Sequence, residues 1–436
     1  MVPILLILAF ALLIIVILGL GLLTYALYAL IGILLVSRWL SRYWSEHLVA
    51  ERECNRVEAE IGQTIAVVLR LKNAGRLPVV WVLVEDLLSR NALLPPPPRL
   101  EVQGRRIHLL GLRAGGEKTL TYQLRCQGRG FFQIGPTILE TGDLFGLHRR
   151  YRILCEPHFL TVLPELLPIE GYDIASRRPI GELRLTHRLY EDPTRIVGLR
   201  PYQRGDPLRR IHWPATARAG QLHSKLYEPS VIAGATLLVD LHAQSYGPPR
   251  GWVRAELAIT CAASLAVAIG TMGQQIGLAT NGRDAADRIR QEGWDYDLRS
   301  RRVARRVAEM LPESSRLQPV LVETRRGEQQ VPRILQTLAR IELNEGLCFD
   351  QLVYEVAGRL PRDATAIAIV PEANPETVIA LAALRAQGMA VLVMINTYEA
   401  HDYAVAAERF LAEGIEARHL RDQTSITQLC HPYVLP

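Results

Sequence analysis

The densest concentration of side chains able to do chemistry lies between Arg177 and Lys225. Ten arginines and that lysine fall in this stretch, including Arg200, Arg204, Arg209, Arg210 and Arg218. Its centre reads Leu199-Arg200-Pro201-Tyr202-Gln203-Arg204-Gly205-Asp206-Pro207-Leu208-Arg209-Arg210-Ile211-His212-Trp213 and continues to Arg218. Gly205-Asp206-Pro207 is turn chemistry, because glycine permits positive φ and proline fixes the φ of the residue leaving the turn. Asp206 is suited to bond nearby amides or to pair with Arg209. Trp213 adds a large apolar surface with one donor. Leu222 to Glu228 reads as a strand that carries Lys225 and Glu228 outward. Arginines at this density serve an ion-pair network, a docking surface for an acidic partner, or a phosphate site. No helix-turn-helix, RNP-like or zinc pattern accompanies them, so no nucleic-acid role is expected.

Catalytic patterns are sparse. His212, His223 and His242 lie near Asp206, Ser224 and Asp240 in sequence. Proximity along the chain is not a triad, which needs nucleophile, base and orienter in register. There is no G-x-S-x-G elbow, no H-E-x-x-H and no G-x-x-x-x-G-K-[ST], so an ATPase of the P-loop type is excluded. The six cysteines are scattered without C-x-x-C spacing, which supports neither a zinc ribbon nor a disulfide scaffold. The expectation is a chain that is not an enzyme and holds no cofactor.

The elements that must position these residues follow from the pattern of the 436-residue chain. At that length two or three domains are expected. With 49% hydrophobic and 22% charged residues, general disorder is excluded. The net charge of +6 suits an anionic membrane face at least as well as a nucleic acid. From Val2 to Val36 there is no charged side chain. A helix of that run is about 52 Å long, against a hydrocarbon core of about 30 Å. It is therefore one tilted span that runs past the surface, or a tight hairpin turning near Gly19 and Gly21. Arg38 and Arg42 interleave with Trp39, Tyr43 and Trp44, the mark of a cytoplasmic interface. Residues 1–46 are thus a transmembrane and juxtamembrane segment, with the lipid bilayer contacted through residues 2–36.

Residues 50–165 read as an all-β, immunoglobulin-like sandwich of short strands such as Ala66–Leu71, Val79–Val84, Lys118–Leu124 and Phe159–Val162. The run Pro95-Pro96-Pro97-Pro98 belongs in a loop or at an edge. Residues 166–232 form the basic connecting segment. Residues 233–436 alternate buried strands with helices, which implies a mostly parallel sheet covered on both faces. The first of these strands ends in a carboxylate. Sites in such sheets lie beyond the carboxyl ends of the strands, which places Asp240, His242 and Gln244 at the natural site position.

The central motif, with Gly130-Phe131-Phe132-Gln133-Ile134-Gly135-Pro136 and Thr141-Gly142-Asp143-Leu144-Phe145-Gly146-Leu147, resembles the bacterial family called domain of unknown function 58. The resemblance covers most of the chain. It implies a von Willebrand factor A-like C-terminal domain and an AAA+ ATPase of the MoxR type as partner. A metal-dependent adhesion site in that fold needs D-x-S-x-S, whose carboxylate and hydroxyls are hard oxygen ligands for Mg²⁺. The same register here gives Asp240, His242 and Gln244, and Glu372 stands where a Ser-Asp pair is expected. Two hydroxyls are lost, so no functional metal site is expected; Asp240 with Glu372 is the one weak divalent alternative. The resulting expectation is a non-enzymatic, membrane-anchored cytosolic scaffold or adaptor. Arg200, Tyr202, Gly205, Asp206, Pro207, Arg209, Trp213, Arg218, Lys225 and Glu228 are its motif and docking residues. The alternative is a receptor or enzyme binding an anionic ligand, a phosphate or cell-wall precursor, through the same arginines.

Overall fold

The computed structural model describes residues 21–88, 90–93, 98–146, 148–169, 172–173, 178–179, 190–201, 211–230, 234–247, 251–286, 317–362 and 364–429. The expected turn at Gly19, the prolines 95–97 and the motif centre from Tyr202 to Arg210 lie outside these residues. The chain divides into two compact units, one built from residues up to Pro164 and the other from Glu165 on, with Ala285 and Ala286 grouped with the first.

The first unit opens with helix α1 (Gly21–His47). From Gly21 to Val36 none of its described side chains is buried; burial begins at Ser37. The helix is long and apolar enough to cross a membrane. Its last turns are polar and aromatic, and Trp44 is only 2% exposed. Strand β1 (Leu48–Cys54) starts with no linker.

Strands β1, β3 (Thr64–Asn73), β7 (Glu117–Cys126) and β5 (Leu100–Gly104) form one antiparallel sheet in the order β1-β3-β7-β5. In β3 and β7 buried and exposed residues alternate, as a sheet with one solvated face requires. The second sheet runs β2-β10-β8-β4-β6, with β9 also paired to β8. Its members are β2 (Glu58–Ala59), β4 (Val79–Leu88), β6 (Ile107–Leu112), β8 (Gly130–Gly142), β9 (Arg149–Cys155) and β10 (His158–Val162). Strand β8 is buried almost throughout because it is paired along its length with β10, β4 and β9. Trp44, Leu48, Leu69, Val82, Val84 and Leu139 share one core cluster, so the helix end is part of the sandwich interior.

A buried polar network crosses this interior. Arg52 pairs with Asp86 at 2.7 Å, with side-chain exposures of 0% and 1%. Tyr122 donates to Asp86 Oδ2 at 2.6 Å and Thr137 to Oδ1 at 3.0 Å. Arg52 also donates to the Glu156 carbonyl. Gly135 takes φ +89°, and a Cβ there would strike the Arg52 guanidinium. Only glycine satisfies both demands.

In the second unit, β11 (Tyr190–Pro201) pairs antiparallel with β12 (His223–Ser230). Between them lies helix α2 (Trp213–Ala219). A six-stranded sheet follows, built from β13 (Gly234–Val239), β14 (Gln275–Thr280), β15 (Val320–Arg325), β16 (Thr365–Val370), β17 (Val391–Ile395) and β18 (Glu416–His419). The order is β15-β14-β13-β16-β17-β18, and β15 alone is antiparallel to its neighbour. Every residue of β13 and β16 is buried, as expected for central strands covered on both faces. Helices α3 (Gly251–Thr271) and α4 (Gln330–Arg340) contribute to one core layer. Helices α5 (Phe349–Val356), α6 (Pro375–Ala386) and α7 (Ala400–Ala412) contribute to the other. Helix α3 also passes the length and hydropathy test for a span, but it is mostly buried, as the core helix of an α/β unit is.

Candidate functional site

The motif's described end is held by backbone pairing. Arg200 lies opposite Ser224 and Leu199 opposite Lys225 in the β11–β12 ladder. Ile211 bridges to Ser224, and the His212 amide donates to the His223 carbonyl at 2.9 Å. This hands the chain directly into α2. His212 Nδ1 accepts the Ala215 amide at 3.1 Å, so that nitrogen carries no proton and the ring caps the helix. Pro214 lies in the first turn, where a missing N–H costs nothing, and Gly220 closes the helix at φ +66°. Thr216 Oγ1 accepts the His223 amide at 3.1 Å and ties α2 back to β12.

On this small scaffold Trp213 is 65% exposed and Arg218 is also exposed. The tryptophan is therefore not spent on the core. His212 and His223 are engaged locally, His223 through Nδ1 to the Gln221 carbonyl at 2.8 Å. Among the described residues, neither imidazole ring makes a hydrogen bond to a hydroxyl or thiol nucleophile. Glu228 lies in β12 between the paired positions Tyr227 and Pro229, at a register shift of the ladder. Tyr202, Gly205, Asp206, Pro207 and Arg209 belong to the stretch outside the described residues.

At the carboxyl end of β13 the structure gathers Asp240, His242 and Asn281. Asp240 is buried, and its Oδ1 accepts from Asn281 Nδ2 at 2.8 Å and from the His242 amide at 3.0 Å. Asn281 Oδ1 in turn accepts the Leu241 amide at 2.6 Å, and its Nδ2 also reaches the Leu347 carbonyl at 3.1 Å. Burial pushes the Asp240 carboxyl above the usual carboxylate range, while these hydrogen bonds pull the other way. Gln244 and Glu372 are exposed, and Glu372 accepts from Asn374 at 3.1 Å. Among the described residues no group of three or more His, Cys, Asp or Glu side chains is arranged to hold a metal ion. Asp240 works here as a bracket for the loops after β13 and β14.

A cleft of about 510 Å³ opens at the same end of the sheet, lined by Tyr246, Gly251, Arg254, Glu372, Asp402 and Arg409 among others. The Arg254 guanidinium lies 5.0 Å from the Tyr398 ring centroid. Its Nε and Nη2 are buried without a hydrogen-bond partner among the described residues. Burial lowers its pKa, and nearby Tyr246, Tyr398, Asp402 and Glu372 oppose that shift. The sequence reading missed this residue. Its only signal was an arginine near the start of an otherwise apolar, alanine-rich helix.

Comparison with known proteins adds identity. Residues 198–339 match the family described as protein of unknown function DUF58. The chain is 22% identical over 261 residues to the uncharacterized protein YeaD of Bacillus subtilis strain 168, covering 60% of this chain and 62% of that protein. It thus spans less than two thirds of the length of the curated relative it matches. Solved structures match partially. The CARDB domain of PF1109 from Pyrococcus furiosus is 14% identical, covering 27% of this chain and 94% of that one at a TM-score of 0.18. The ASH/PapD-like domain of human CEP192 is 16% identical, covering 26% and 82% at a TM-score of 0.16.

Proposed function

The chain belongs to the DUF58 family, and from that premise we propose a non-enzymatic scaffold, anchored in the cytoplasmic membrane, whose soluble parts face the cytosol and dock an AAA+ ATPase of the MoxR type. The observation that carries the reading is the exposure of Trp213 and Arg218 on a capped helix inside the family-matched region. Tryptophan and arginine dominate binding hot spots, and Trp213 with Arg218 on one braced element offers such a pair to a partner. The partner class comes from the family resemblance. The assignment of the α/β unit as von Willebrand factor A-like is supported by a sheet whose only antiparallel member is the edge strand β15. The internal bonding of Asp240 supports a version that does not recruit partners through a metal. The anchor reading is supported by the exposed apolar face of Gly21–Val36, followed by Arg38 and Arg42.

The test is affinity capture of the tagged full chain from its native host, with and without ATP, read by mass spectrometry. Enrichment of an AAA+ ATPase that is lost in Trp213→Ala, with folding intact, supports the scaffold. Absence of any ATPase in both conditions refutes it. A second reading, an anion receptor, is favoured by one observation, the unpartnered Nε and Nη2 edge of Arg254 at the cleft. That edge matches the two oxygens of a carboxylate or phosphate. Saturable phosphate binding that disappears in Arg254→Gln would move the assignment to this reading.

A further inference from the structure

We propose that the turn Asp143–Gly146 of the sandwich is a membrane-seating loop whose Leu144 and Phe145 enter the lipid face that α1 enters. The inference rests on reading α1 as a membrane span and needs nothing from the ATPase.

The turn is built to display two apolar side chains. Leu144 is 60% exposed and Phe145 65% exposed. The backbone beneath them is braced. Asp143 is buried; its Oδ2 accepts the Phe145 amide at 3.1 Å and its Oδ1 the His148 amide at 2.6 Å. Trp81 Nε1 donates to the Asp143 carbonyl at 3.4 Å, and Gly146 holds φ +71°. A turn with this much internal bonding has no structural need for leucine and phenylalanine at its tip. Two adjacent exposed apolar side chains on a fixed turn mark a contact with something apolar.

The depth of the turn identifies that contact as lipid. Ser37 Oγ and His148 Nδ1 are 3.2 Å apart, so the base of the turn touches α1 at Ser37. Ser37 follows Val36, the last apolar residue of the run, and precedes Arg38, the first charged side chain. The turn therefore sits where the helix leaves the hydrocarbon, at the level of the exposed Val36 and Trp39. An interfacial residue at that level is buried only about 5–10 Å into the headgroup and acyl boundary.

The geometry also cannot swing away from the membrane. Helix α1 runs unbroken to His47 and β1 begins at Leu48. Trp44 fills the sandwich core. Arg152 Nη1 donates to the Ser45 carbonyl at 3.0 Å and the Glu46 carbonyl at 3.1 Å, and the Arg76 amide donates to Tyr43 Oη at 2.8 Å. A helix welded in this way transmits its tilt to the turn. Arg38, Arg42, Arg149 and Arg150 lie close in sequence to the turn or to the emerging helix. Basic residues at this level complement anionic headgroups.

The experiment uses the full chain in lipid nanodiscs containing phosphatidylglycerol, with acyl chains brominated or not. Phe145→Trp is compared with the parent, so that the difference reports the added indole, and Trp39→Phe gives the signal of Trp39 in the same way. The proposal expects brominated lipid to remove at least half of the emission added at position 145, alongside quenching of Trp39. A Trp39 signal that is quenched while the indole at 145 is untouched overturns the loop and leaves the span standing. Quenching of neither overturns both. Leu144→Trp, the adjacent position, must give the same answer as Phe145→Trp; an unquenched indole at both positions rejects the proposal.

Discussion

Substituting Asp86 by Asn removes the charge that answers Arg52 in a fully buried pair. The guanidinium stays in place, because it also donates to the Glu156 carbonyl and meets His158 Nδ1. It is left as a buried cation without a counter-charge, which costs about 3–5 kcal/mol. At about 1.4 kcal/mol per tenfold, amides protected by this unit then exchange roughly 10²- to 4 × 10³-fold faster. Arg52→Met is milder, because the carboxylate keeps the Tyr122 and Thr137 hydroxyls. Burial, with the Asp86 charge second, holds the Tyr122 phenol far above its ordinary range, so it remains a donor. The double variant Arg52→Met/Asp86→Asn carries no buried charge and is expected to cost less than Asp86→Asn alone. The assay is hydrogen exchange by mass spectrometry on peptides covering β3, β4 and β8 in the full chain, which reads this unit without assuming that the chain unfolds in one step. Acceleration below about fivefold in Asp86→Asn, or strict additivity in the double variant, would refute the account of the pair.

Three further outcomes follow from the same geometry. Gly135→Ala, which strains a φ of +89° and drives a methyl into Arg52, is expected to destabilise the first unit by about 1–3 kcal/mol in the same exchange assay. Exposed His158 and half-buried His419 both titrate below the ordinary histidine value of about 6.5, chiefly through partial desolvation, so the unfolded chain takes up those protons first. Their stabilisation is complete above that value and is lost as pH falls through the folded values, less for the solvent-screened His158 than for His419; melting of the full chain between neutral and mildly acidic pH checks the sign. Asp240 has the opposite sign, since its raised carboxyl makes the folded chain less stable as pH rises through its folded value. Asp240→Asn is therefore expected to be at least as stable as the parent at pH about 8, and Mg²⁺ to leave the melting of either protein unchanged; a Mg²⁺-dependent rise in the parent alone would make Asp240 a metal ligand.

Much of the architecture was legible because period and punctuation agree locally. Helix α6 starts at Pro375, one of the helices expected to alternate with strands in residues 233–436, since a proline fits the first turn and not a helix interior. Strand β14 stops at Asn281-Gly282 for the same kind of reason, and Asn281 then holds Asp240. Strand β3 runs two residues past the expected Ala66–Leu71 to Asn73, because the Asn73 side chain donates to the Leu77 and Arg113 carbonyls and closes the loop from inside the ladder. Helix α2 was not read, although His212, Pro214 and Gly220 are its start and stop signals; the arginine density around them masked the short alanine-rich turn. The contact of Trp44 with the sandwich core was invisible, because an interfacial tryptophan and a core tryptophan look alike until the strands are in place. Arg254 was hidden for a related reason: which helix start faces a cleft is a property of the sheet order.

The central claim is that Trp213 meets an AAA+ ATPase. A photoreactive phenylalanine analogue placed at position 213 of the full chain tests it most directly, with the exposed Tyr354 of α5 as the control position. Illumination in the native host is predicted to give one adduct at position 213 that contains the ATPase, diminished in Arg218→Glu and absent at position 354. No adduct at 213, or the same adducts at both positions, would contradict the scaffold account.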